Sequence, residues 1–374
     1  MAGIYVHIPF CRSKCFYCGF YSVASSRRRE EYVRALCREM ELRGDYLPAG
    51  EAVETLYFGG GTPSMLGEKE MEVIVGKLES MWDLSHCMER SVEVNPEDAT
   101  AEKLAAWRRL GFNRLTIGVQ SFNDRILRQI NRTHTADAAV AAVERARVCG
   151  FDNVGIDLII GLPGSTPEEL RRDVGMAERL GVSHVSVYML SVDSHSVFEK
   201  LSEKGRFRAP EDDELAEGYI LVSEMLKGYG YEHYEISNFA KGLMYSRHNT
   251  SYWLQKPYVG LGAAAHSYDG KSRQWNVSHI GKYIESLNHD VLNFEKEVLS
   301  DRDKYNECLM TNLRTMWGIG AERLAREYPS WWAETEGKLA GYEARGLARR
   351  EGGRVCLTER GWLVSDGIFS DLFV

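Results

Sequence analysis

Short runs of apolar and β-branched residues recur through the first half of the chain, alternating with segments whose apolar positions are three or four residues apart. Segments of the first kind predict strands, and those of the second kind predict amphipathic helices. The predicted strands cover residues 4–8, 55–58, 91–94, 114–119, 154–160 and 184–190. Helices are predicted over residues 68–81, 101–110, 136–149 and 167–180. This alternation favours an α/β fold with a parallel sheet and right-handed crossovers.

Polar and glycine-rich features follow the predicted strands where each one ends. A cysteine-rich loop follows the first strand and GGGTP follows the second. Glu93 and Asn95 end the third strand, Gln120 ends the fourth, and GLPG follows the fifth. A (β/α) barrel carries its functional site at this edge of the sheet. Six βα units instead of eight therefore predict an incomplete (β/α)6 TIM-like barrel with an open side.

The pattern changes after residue 195. A helix over 212–226 and a strand over 231–236 lead into an aromatic, glycine-bearing stretch over 245–268. The last part of the chain has helical patterns and then RVCLTERG, which predicts a strand leading into a final helix, as in a small winged-helix-like module. We therefore predict three parts: a barrel over 1–195, an α/β extension that closes the site over 196–295, and a helical domain over 296–374.

The composition excludes several classes of protein. The 374 residues are 44% hydrophobic and 27% charged, which is typical of a globular protein with one large domain and a smaller one. No apolar run approaches the roughly 20 residues of a membrane span, and the N-terminus lacks the pattern of a secretory signal. We therefore expect a cytoplasmic protein. The net charge of -8 argues against binding to nucleic acid.

Eight cysteines in a chain expected in the cytoplasm do not indicate a disulfide framework. The clustered ones, Cys11, Cys15 and Cys18, form the stretch CRSKCFYC directly after the first predicted strand. Inert thiols are expected at the five isolated positions, which are Cys37, Cys87, Cys149, Cys308 and Cys356.

Three clustered thiols are compatible with three kinds of site. A structural zinc ion takes four protein ligands, which the cysteines and His7 could supply. A thioredoxin-like pair of Cys15 and Cys18 would leave Cys11 without a role. A [4Fe-4S] cluster explains the count, because three thiolates saturate three irons and leave the fourth iron open to a ligand from solution.

The spacing CxxxCxxC, with an aromatic residue before the last cysteine, is similar to the signature of radical S-adenosylmethionine (SAM) enzymes. Over nearly the whole chain, further motifs resemble the oxygen-independent coproporphyrinogen III oxidase family: YVHIPFC, YFGGGTPS, VEVNPED, IGVQSFND, INRTHT, GIDLIIGLPG and GLGAAAHS. The resemblance implies that Cys11, Cys15 and Cys18 hold a [4Fe-4S] cluster and that SAM binds the open iron. In this family the reduced cluster cleaves SAM to methionine and a 5'-deoxyadenosyl radical.

Several of these motifs can also be interpreted from the chemistry of their residues alone. The glycines of GGGTP either let the backbone approach a ligand or form a tight strand-to-helix turn. Glu93 and Asp157 lie in β-forming runs, where a buried carboxylate needs a ligand or an ion pair to an arginine such as Arg114 or Arg132. By resemblance, GGGTP binds the methionyl amino group of SAM. The positions that resemble SAM contacts of the family are Tyr5, Tyr17, Gly60, Gly61, Thr62, Glu93, Gln120, Arg132, Asp157, Ser191 and His266.

The branch of the family is indicated by departures from the oxidases. Those oxidases carry a long N-terminal extension before the cluster, whereas here the first cluster cysteine is Cys11. They also carry a further cysteine two residues after the last cluster cysteine, where this chain has Phe20. HNTSYW, at 248–253, instead resembles the HNxxYW motif of the heme chaperone branch. One departure from that branch is Gly19, where an aspartate is common.

The HNTSYW motif supplies candidate heme contacts. Heme iron accepts a histidine nitrogen as axial ligand, and aromatic rings pack on the macrocycle. We therefore predict that His248, Tyr252 and Trp253 contact heme. The alternative is a capped turn before a buried Tyr-Trp pair. Other histidines that could bind the iron are His184, His195, His233 and His266.

The sequence thus predicts a radical SAM protein that binds heme and delivers it to acceptor hemoproteins such as respiratory, membrane-associated enzymes. A flavodoxin or ferredoxin is the expected reductant, and the fold implies a capacity to cleave SAM. One alternative is an oxygen-independent coproporphyrinogen III oxidase, which converts two propionates to vinyl groups. A structural zinc-binding barrel without redox chemistry is an alternative of another class.

Overall fold

The structure, a computed structural model, describes residues 2–48, 50–194 and 196–374. Strands and helices alternate through its first half, as the hydrophobic pattern predicts. The strands are β1 (Ala2–Ile8), β2 (Val53–Gly60), β3 (Glu89–Val94), β4 (Arg114–Gln120), β5 (Asn153–Ile160) and β6 (His184–Met189). The helices are α1 (Arg29–Leu42), α2 (Glu68–Met81), α3 (Ala101–Arg109), α4 (Asp124–Gln129), α5 (Ala136–Val148) and α6 (Pro167–Leu180).

Strands β1 to β6 lie side by side in sequence order, and each is parallel to the next. A doubly wound sheet would instead reverse its strand order at a switch point. Sequence order in one direction is typical of a (β/α) barrel, and it brings the carboxyl ends of all six strands to one edge. The main hydrophobic core lies between these strands and the helices, which explains the continuous apolar runs that mark the strands in the sequence.

The next part of the chain extends the same sheet at both ends. Strand β9 pairs in parallel with β1, and β8 pairs antiparallel with β6. Twelve of the described strands, β1 to β12, thus form one sheet with β12 and β7 at its ends. These elements are α7 (Val197–Glu203), α8 (Asp212–Gly228), β7 (Glu232–Glu235), β8 (Asn238–Ala240), α9 (Arg247–Trp253), β9 (Tyr258–Leu261), β10 (His266–Tyr268), β11 (Ser272–Asn276), α10 (Ile280–Asn288) and β12 (Phe294–Val298).

The last part of the chain has a separate hydrophobic cluster that includes Tyr305, Leu309 and Trp362. Its three strands form a small antiparallel sheet in the order β13-β15-β14. This composition agrees with the predicted helical module, whose exact bounds stay a prediction. The elements are α11 (Asp301–Leu313), β13 (Ile319–Gly320), α12 (Ala321–Glu327), α13 (Pro329–Ala344), β14 (Ala348–Glu351), β15 (Arg354–Leu357), α14 (Glu359–Leu363) and α15 (Ser365–Leu372).

The length and the hydropathy of a helix determine whether it can cross a membrane. Within residues 2–48, 50–194 and 196–374, no helix combines the length and the apolar character needed to cross a bilayer.

Candidate functional site

A cavity of about 390 Å³ opens at the edge where the parallel strands end. Each of the six strands, or the loop that follows it, contributes to its wall, as the barrel prediction requires. Twelve of the residues predicted from the sequence line it: Cys11, Cys15, Tyr17, Cys18, Gly60, Gly61, Thr62, Glu93, Gln120, Arg132, Asp157 and Ser191. The fold therefore brings together residues that are up to 180 positions apart in the chain.

The cysteine loop is held in place from several neighbouring elements. The amide of Phe16 donates to the carbonyl of Ile130 at 3.1 Å, and the side chain of Asn131 donates to the carbonyl of Lys14 at 2.9 Å. On the other side, the guanidinium of Arg12 pairs with the buried carboxylate of Asp98. Beneath the loop, the rings of Phe16 and Tyr17 pack against a hydrophobic cluster that includes residues of α4 and α7. The loop is thus fixed before any ligand binds.

The three thiols of the loop are reduced and face the same cavity. Burial raises the pKa of Cys18 to about 11, and it also raises the pKa of Cys11. Two donors point at sulfur: the Thr62 hydroxyl lies 3.5 Å from Cys11 Sγ, and Arg132 Nη1 lies 3.7 Å from Cys15 Sγ. Buried thiols become thiolates when a metal replaces the proton. Their shared cavity and these donors fit a cluster with three thiolate ligands.

The zinc alternative does not fit the same residues. His7, its proposed fourth ligand, has both ring nitrogens engaged: Nδ1 with the Tyr5 hydroxyl and Nε2 with the Tyr21 carbonyl, each at 3.1 Å. Nor does the described part of the chain contain any group of three His, Cys, Asp or Glu side chains placed to hold a single ion. A tetrahedral site with His7 as ligand is therefore not formed.

The glycine loop GGGTP passes close to the start of the cysteine loop. Gly60 has a φ of +107°, and a Cβ there would lie 2.5 Å from the His7 ring. At Gly61 a Cβ would lie 2.8 Å from the backbone of Pro9. Neither position has room for a side chain. The glycines are needed for close packing as well as for exposing backbone to the cavity, so both readings from the sequence apply.

Glu93 and Asp157 form an acidic floor to the cavity. Burial, opposed by a hydrogen bond from the Tyr57 hydroxyl at 2.8 Å, raises the pKa of Glu93 to about 7. Burial also raises the pKa of Asp157 to about 6, and its Oδ1 has no hydrogen-bond partner among the described residues. Neither carboxylate forms an ion pair with a cationic side chain in the described part of the chain, so both are suited to a cationic ligand.

The structural ion pair considered for these carboxylates is not formed. Arg114 Nη1 donates to the Asn153 side chain at 2.7 Å and to the Met244 carbonyl at 3.2 Å. Arg132 donates to the Gly118 carbonyl and to Cys15, so its guanidinium faces the cysteine loop instead. Near it, Gln120 ends β4 in a left-handed conformation with a φ of +68°, beyond a bulge in the strand. Strained backbone of this kind is frequent at functional sites.

Two of the predicted SAM contacts do not line the cavity. Tyr5 lies below it, where its hydroxyl contacts His7 and its ring stacks on Tyr57 with centroids 6.2 Å apart. His266 lies on β10 with an exposed side chain, and its ring stacks on Trp275 at a centroid distance of 6.0 Å. In this conformation both residues are neighbours of the site, and the predicted contact with SAM stays a prediction.

The HNTSYW motif forms the short helix α9, which packs against β1 and β2 away from the cavity. His248 is fully buried, with Nδ1 2.8 Å from the Thr55 hydroxyl and Nε2 2.7 Å from the Tyr252 hydroxyl. Trp253 lies under the guanidinium of Arg314, at the boundary with the last part of the chain. In this conformation both ring nitrogens of His248 are engaged in hydrogen bonds. The predicted contacts of His248, Tyr252 and Trp253 with heme stay a prediction.

The other histidines differ in their accessibility. His184 and His233 are buried, and each is hydrogen-bonded to a tyrosine hydroxyl, at 2.8 Å and 3.1 Å. His195 lies outside the described residues. His266 is exposed and has no hydrogen bond to its ring from the residues that the structure describes. Of the candidates that the structure describes, His266 is therefore the one with accessible nitrogens.

Some residues at the cavity were not predicted. Asp193 lies beside Gly19, and Phe20, Tyr188 and Met189 form an exposed apolar rim on the cavity wall. Phe20 is 71% exposed, which is unusual for a large aromatic side chain in a loop that is otherwise held firmly. An exposed position cannot be read from a single sequence, since an apolar residue is expected to be buried. The same holds for Asp193, which follows the sixth predicted strand without any motif.

Family models match two separate parts of the chain. The Radical SAM superfamily matches residues 5–177, which include the cysteine loop and most of the parallel strands. The HemN C-terminal domain matches residues 299–364, in the last part of the chain. In three dimensions the chain is similar to coproporphyrinogen III oxidase (HemN) from Escherichia coli, a radical SAM enzyme, with a TM-score of 0.86 at 23% identity. The match covers 100% of this chain and 90% of the oxidase, and it confirms the predicted fold class.

Curated relatives match the chain over its whole length. The heme chaperone HemW of Bacillus subtilis is 36% identical, and the alignment covers 99% of this chain and 98% of the relative. The heme chaperone HemW of Mycobacterium tuberculosis is 35% identical, with 99% and 94% covered. These matches confirm the predicted resemblance to the heme chaperone branch, and nothing in them supports a zinc-binding barrel. This chain belongs to the HemW heme chaperone family of radical SAM proteins.

Proposed function

We propose that this chain is a radical SAM heme chaperone, which binds SAM at a [4Fe-4S] cluster, carries heme and delivers it to acceptor hemoproteins. The observation that carries the proposal is the convergence of three free thiols, a glycine loop and the carboxylates of Glu93 and Asp157 on one cavity. Full-length similarity to HemW heme chaperones supports the heme-carrying part.

The residues of the cavity fit the proposed cofactors. Cys11, Cys15 and Cys18 would hold the cluster, which, when bound, supplies an open iron for SAM and a single electron. The Thr62 hydroxyl and the Arg132 guanidinium donate toward the sulfurs and stabilise their negative charge. SAM carries a sulfonium and an ammonium group, and the floor of Glu93 and Asp157 offers both a matching negative charge.

Heme is proposed to bind at the apolar rim. The cavity of about 390 Å³ lies near the lower end of the range for ligand pockets, about 300–1,000 Å³, and the cluster and SAM are both proposed to lie in it, so the macrocycle is proposed to lie outside. Phe20, Tyr188 and Met189 offer an exposed apolar surface on the wall of the cavity. His266 is the proposed axial ligand, since its ring is exposed and lies against Trp275.

The partners and the compartment follow from the family resemblance. We propose that the acceptors are hemoproteins such as respiratory, membrane-associated enzymes. A flavodoxin or ferredoxin is proposed as the source of electrons, and the cytoplasm as the compartment.

An anaerobic titration of the reconstituted protein with hemin, followed by visible absorption, tests the proposal. The expected result is a saturable heme spectrum at one heme per chain, with no conversion of coproporphyrinogen III in the presence of SAM and a reductant. Absence of a saturable spectrum, combined with decarboxylation of coproporphyrinogen III, would overturn the proposal in favour of an oxidase. Binding of heme together with decarboxylation of coproporphyrinogen III would also contradict the proposal. The chain would then be an oxidase of porphyrin biosynthesis, and the heme that it binds would be a later product of that pathway.

A further inference from the structure

His248 closes the end of the barrel opposite to the cysteine loop. Its imidazole lies between the first residues of β1 and β2: the Thr55 hydroxyl is 2.8 Å from Nδ1, and a Cβ on Gly3 would lie 3.2 Å from the ring. The backbone amides of Arg247 and His248 donate to the buried carboxylate of Glu89 at 3.0 and 2.9 Å. Charge-assisted hydrogen bonds to Glu89 of β3 thus hold helix α9 against the sheet.

Two tyrosine rings separate His248 from the cavity. The Tyr57 ring stacks on the imidazole with centroids 5.1 Å apart and planes 21° from parallel. The Tyr5 ring lies 6.4 Å from the imidazole and is tilted by 26°. Barrel interiors are filled by such layers of side chains, each resting on the one below. The position of Tyr57 therefore depends on the imidazole beneath it.

The upper face of this stack reaches the acidic floor. The Tyr57 hydroxyl donates to Glu93 Oε1 at 2.8 Å, and Glu93 lines the cavity. Gly59 leaves the space for this arrangement, because a Cβ there would lie 2.8 Å from the Tyr57 ring and 2.9 Å from Glu93 Oε1. One continuous series of contacts thus runs from His248 through Tyr57 to the carboxylate that is proposed to face SAM.

A role for His248 as a heme ligand requires the loss of these contacts. To reach iron, the imidazole would have to give up Thr55 or Tyr252 and helix α9 would have to leave the sheet. Burial lowers the pKa of His248 to about 3, so the ring stays neutral and keeps both hydrogen bonds over the physiological range.

We propose that His248 is a positioning residue, which fixes the Tyr57 ring and through it the Glu93 carboxylate that binds SAM, and that it does not bind the iron of heme. The inference rests on the proposed SAM site, and it assigns the HNTSYW motif to the floor of that site. The Tyr57 hydroxyl holds Oε1 of Glu93, and Glu93 lines the cavity.

Binding of SAM and heme by the reconstituted protein tests this role. Y57F removes the hydrogen bond to Glu93, and H248F replaces the imidazole by a phenyl ring. T55V removes the hydroxyl that contacts the imidazole and keeps a side chain of the same shape as threonine. T250V is the matched control, because the Thr250 hydroxyl on the same helix has no hydrogen-bond partner in the part of the chain that the structure describes. Dissociation constants for SAM are measured by equilibrium dialysis, and heme binding is followed by visible absorption.

We expect the dissociation constant for SAM to rise about tenfold in Y57F and about threefold in H248F and T55V, with T250V unchanged. The double variant Y57F/H248F should bind SAM no more weakly than Y57F, because both changes act on the same carboxylate. All variants should keep the heme spectrum of the unmodified chain. Unchanged SAM binding in H248F and T55V, or loss of the heme spectrum in H248F alone, would overturn the inference. Failure of the unmodified chain to bind SAM would instead refute the proposed function.

Discussion

The side chain of Asp193 occupies the space beside Gly19: a Cβ at residue 19 would lie 2.7 Å from the Asp193 Cβ and 2.9 Å from one of its carboxylate oxygens. Gly19 directly follows the last cluster cysteine, and Asp193 follows β6. The Ser191 hydroxyl donates to the same aspartate at 2.6 Å. A carboxylate thus stands next to Cys18, supplied from another part of the chain than residue 19.

This contact makes residues 19 and 193 interdependent. We predict that G19D will weaken retention of the cluster, because the new side chain overlaps with Asp193 and places two carboxylates together. The double variant G19D/D193G should restore the iron content, since it moves the carboxylate from one position to the other. Iron and sulfide per chain after gel filtration provide the measurement. If the double variant loses as much iron as G19D, the two positions are not exchangeable.

Asp98 is predicted to anchor the cysteine loop. Its carboxylate is 1% exposed, pairs with Arg12 of the loop and accepts a hydrogen bond from the Ser64 hydroxyl at 2.9 Å. D98N should lower the free energy of unfolding by about 2 kcal/mol, because the buried carboxylate loses its charge and with it the ion pair to the half-exposed Arg12. The cluster should also bleach faster in air. Urea unfolding of the apo-protein and the decay of cluster absorbance measure the two effects.

A surface pair provides the control for Asp98. Arg109 and Glu68 form an ion pair in which both side chains are largely exposed. E68Q should change the free energy of unfolding by less than about 0.5 kcal/mol and leave the cluster lifetime unchanged. A D98N variant as stable as E68Q would show that the Arg12 pair does not hold the loop.

SAM binding should depend on pH through Glu93. Burial raises the pKa of this carboxyl to about 7 in the free protein, and a bound cation favours its ionised form. Below about pH 7, binding must therefore release a proton, and affinity should fall by up to about tenfold per pH unit toward pH 6. Above about pH 7.5 the carboxyl is already ionised, so affinity should level off. Calorimetric titrations in buffers of different ionisation enthalpy measure the released protons directly.

The variant E93Q provides the control for this pH dependence. It should bind SAM more weakly at all pH values and lose most of the proton release near pH 6.5. The nearby carboxyl of Asp157, whose pKa burial raises to about 6, accounts for what remains at lower pH. A pH profile that E93Q shares with the unmodified chain would assign the proton to another group.

His266 is predicted to contribute the axial ligand of heme. H266A should shift the absorption maximum of the ferric heme complex and raise the dissociation constant for heme about tenfold, because the iron loses its nitrogen ligand. His86, which is also exposed, supplies the control variant H86A, whose spectrum should be unchanged. The same spectrum in H266A and the unmodified chain would exclude His266.

The parallel strands could be predicted because their residues are apolar on both faces and their ends carry distinctive motifs. Strands β10 to β12 could not, since β12 is exposed along its whole length and its sequence, FEKEV, has no continuous apolar run. These strands form because the loop after β9 is held by α1: the amide of Gly262 donates to Glu39 and that of Ala263 to Tyr32, at 2.7 and 3.0 Å. Such contacts join residues more than 200 positions apart.

The cavity wall could be predicted where a sequence motif marks it, but not where tertiary packing determines which side chains are exposed. The cysteines and glycines have fixed spacings, so their place after β1 and β2 was accessible from the sequence. Whether a histidine is exposed depends on the elements packed around it. His248 is covered by β1 and β2 and His266 lies open on β10, although both stand in motifs of similar clarity.

Three thiolates are proposed to hold a [4Fe-4S] cluster with one open iron. This cluster is tested most directly by the electron paramagnetic resonance spectrum of the reduced, reconstituted protein with and without SAM, combined with metal analysis. We predict about four iron and four sulfide per chain and a spectrum that changes when SAM is added. One zinc per chain without sulfide, or a cluster whose spectrum does not respond to SAM, would contradict the claim.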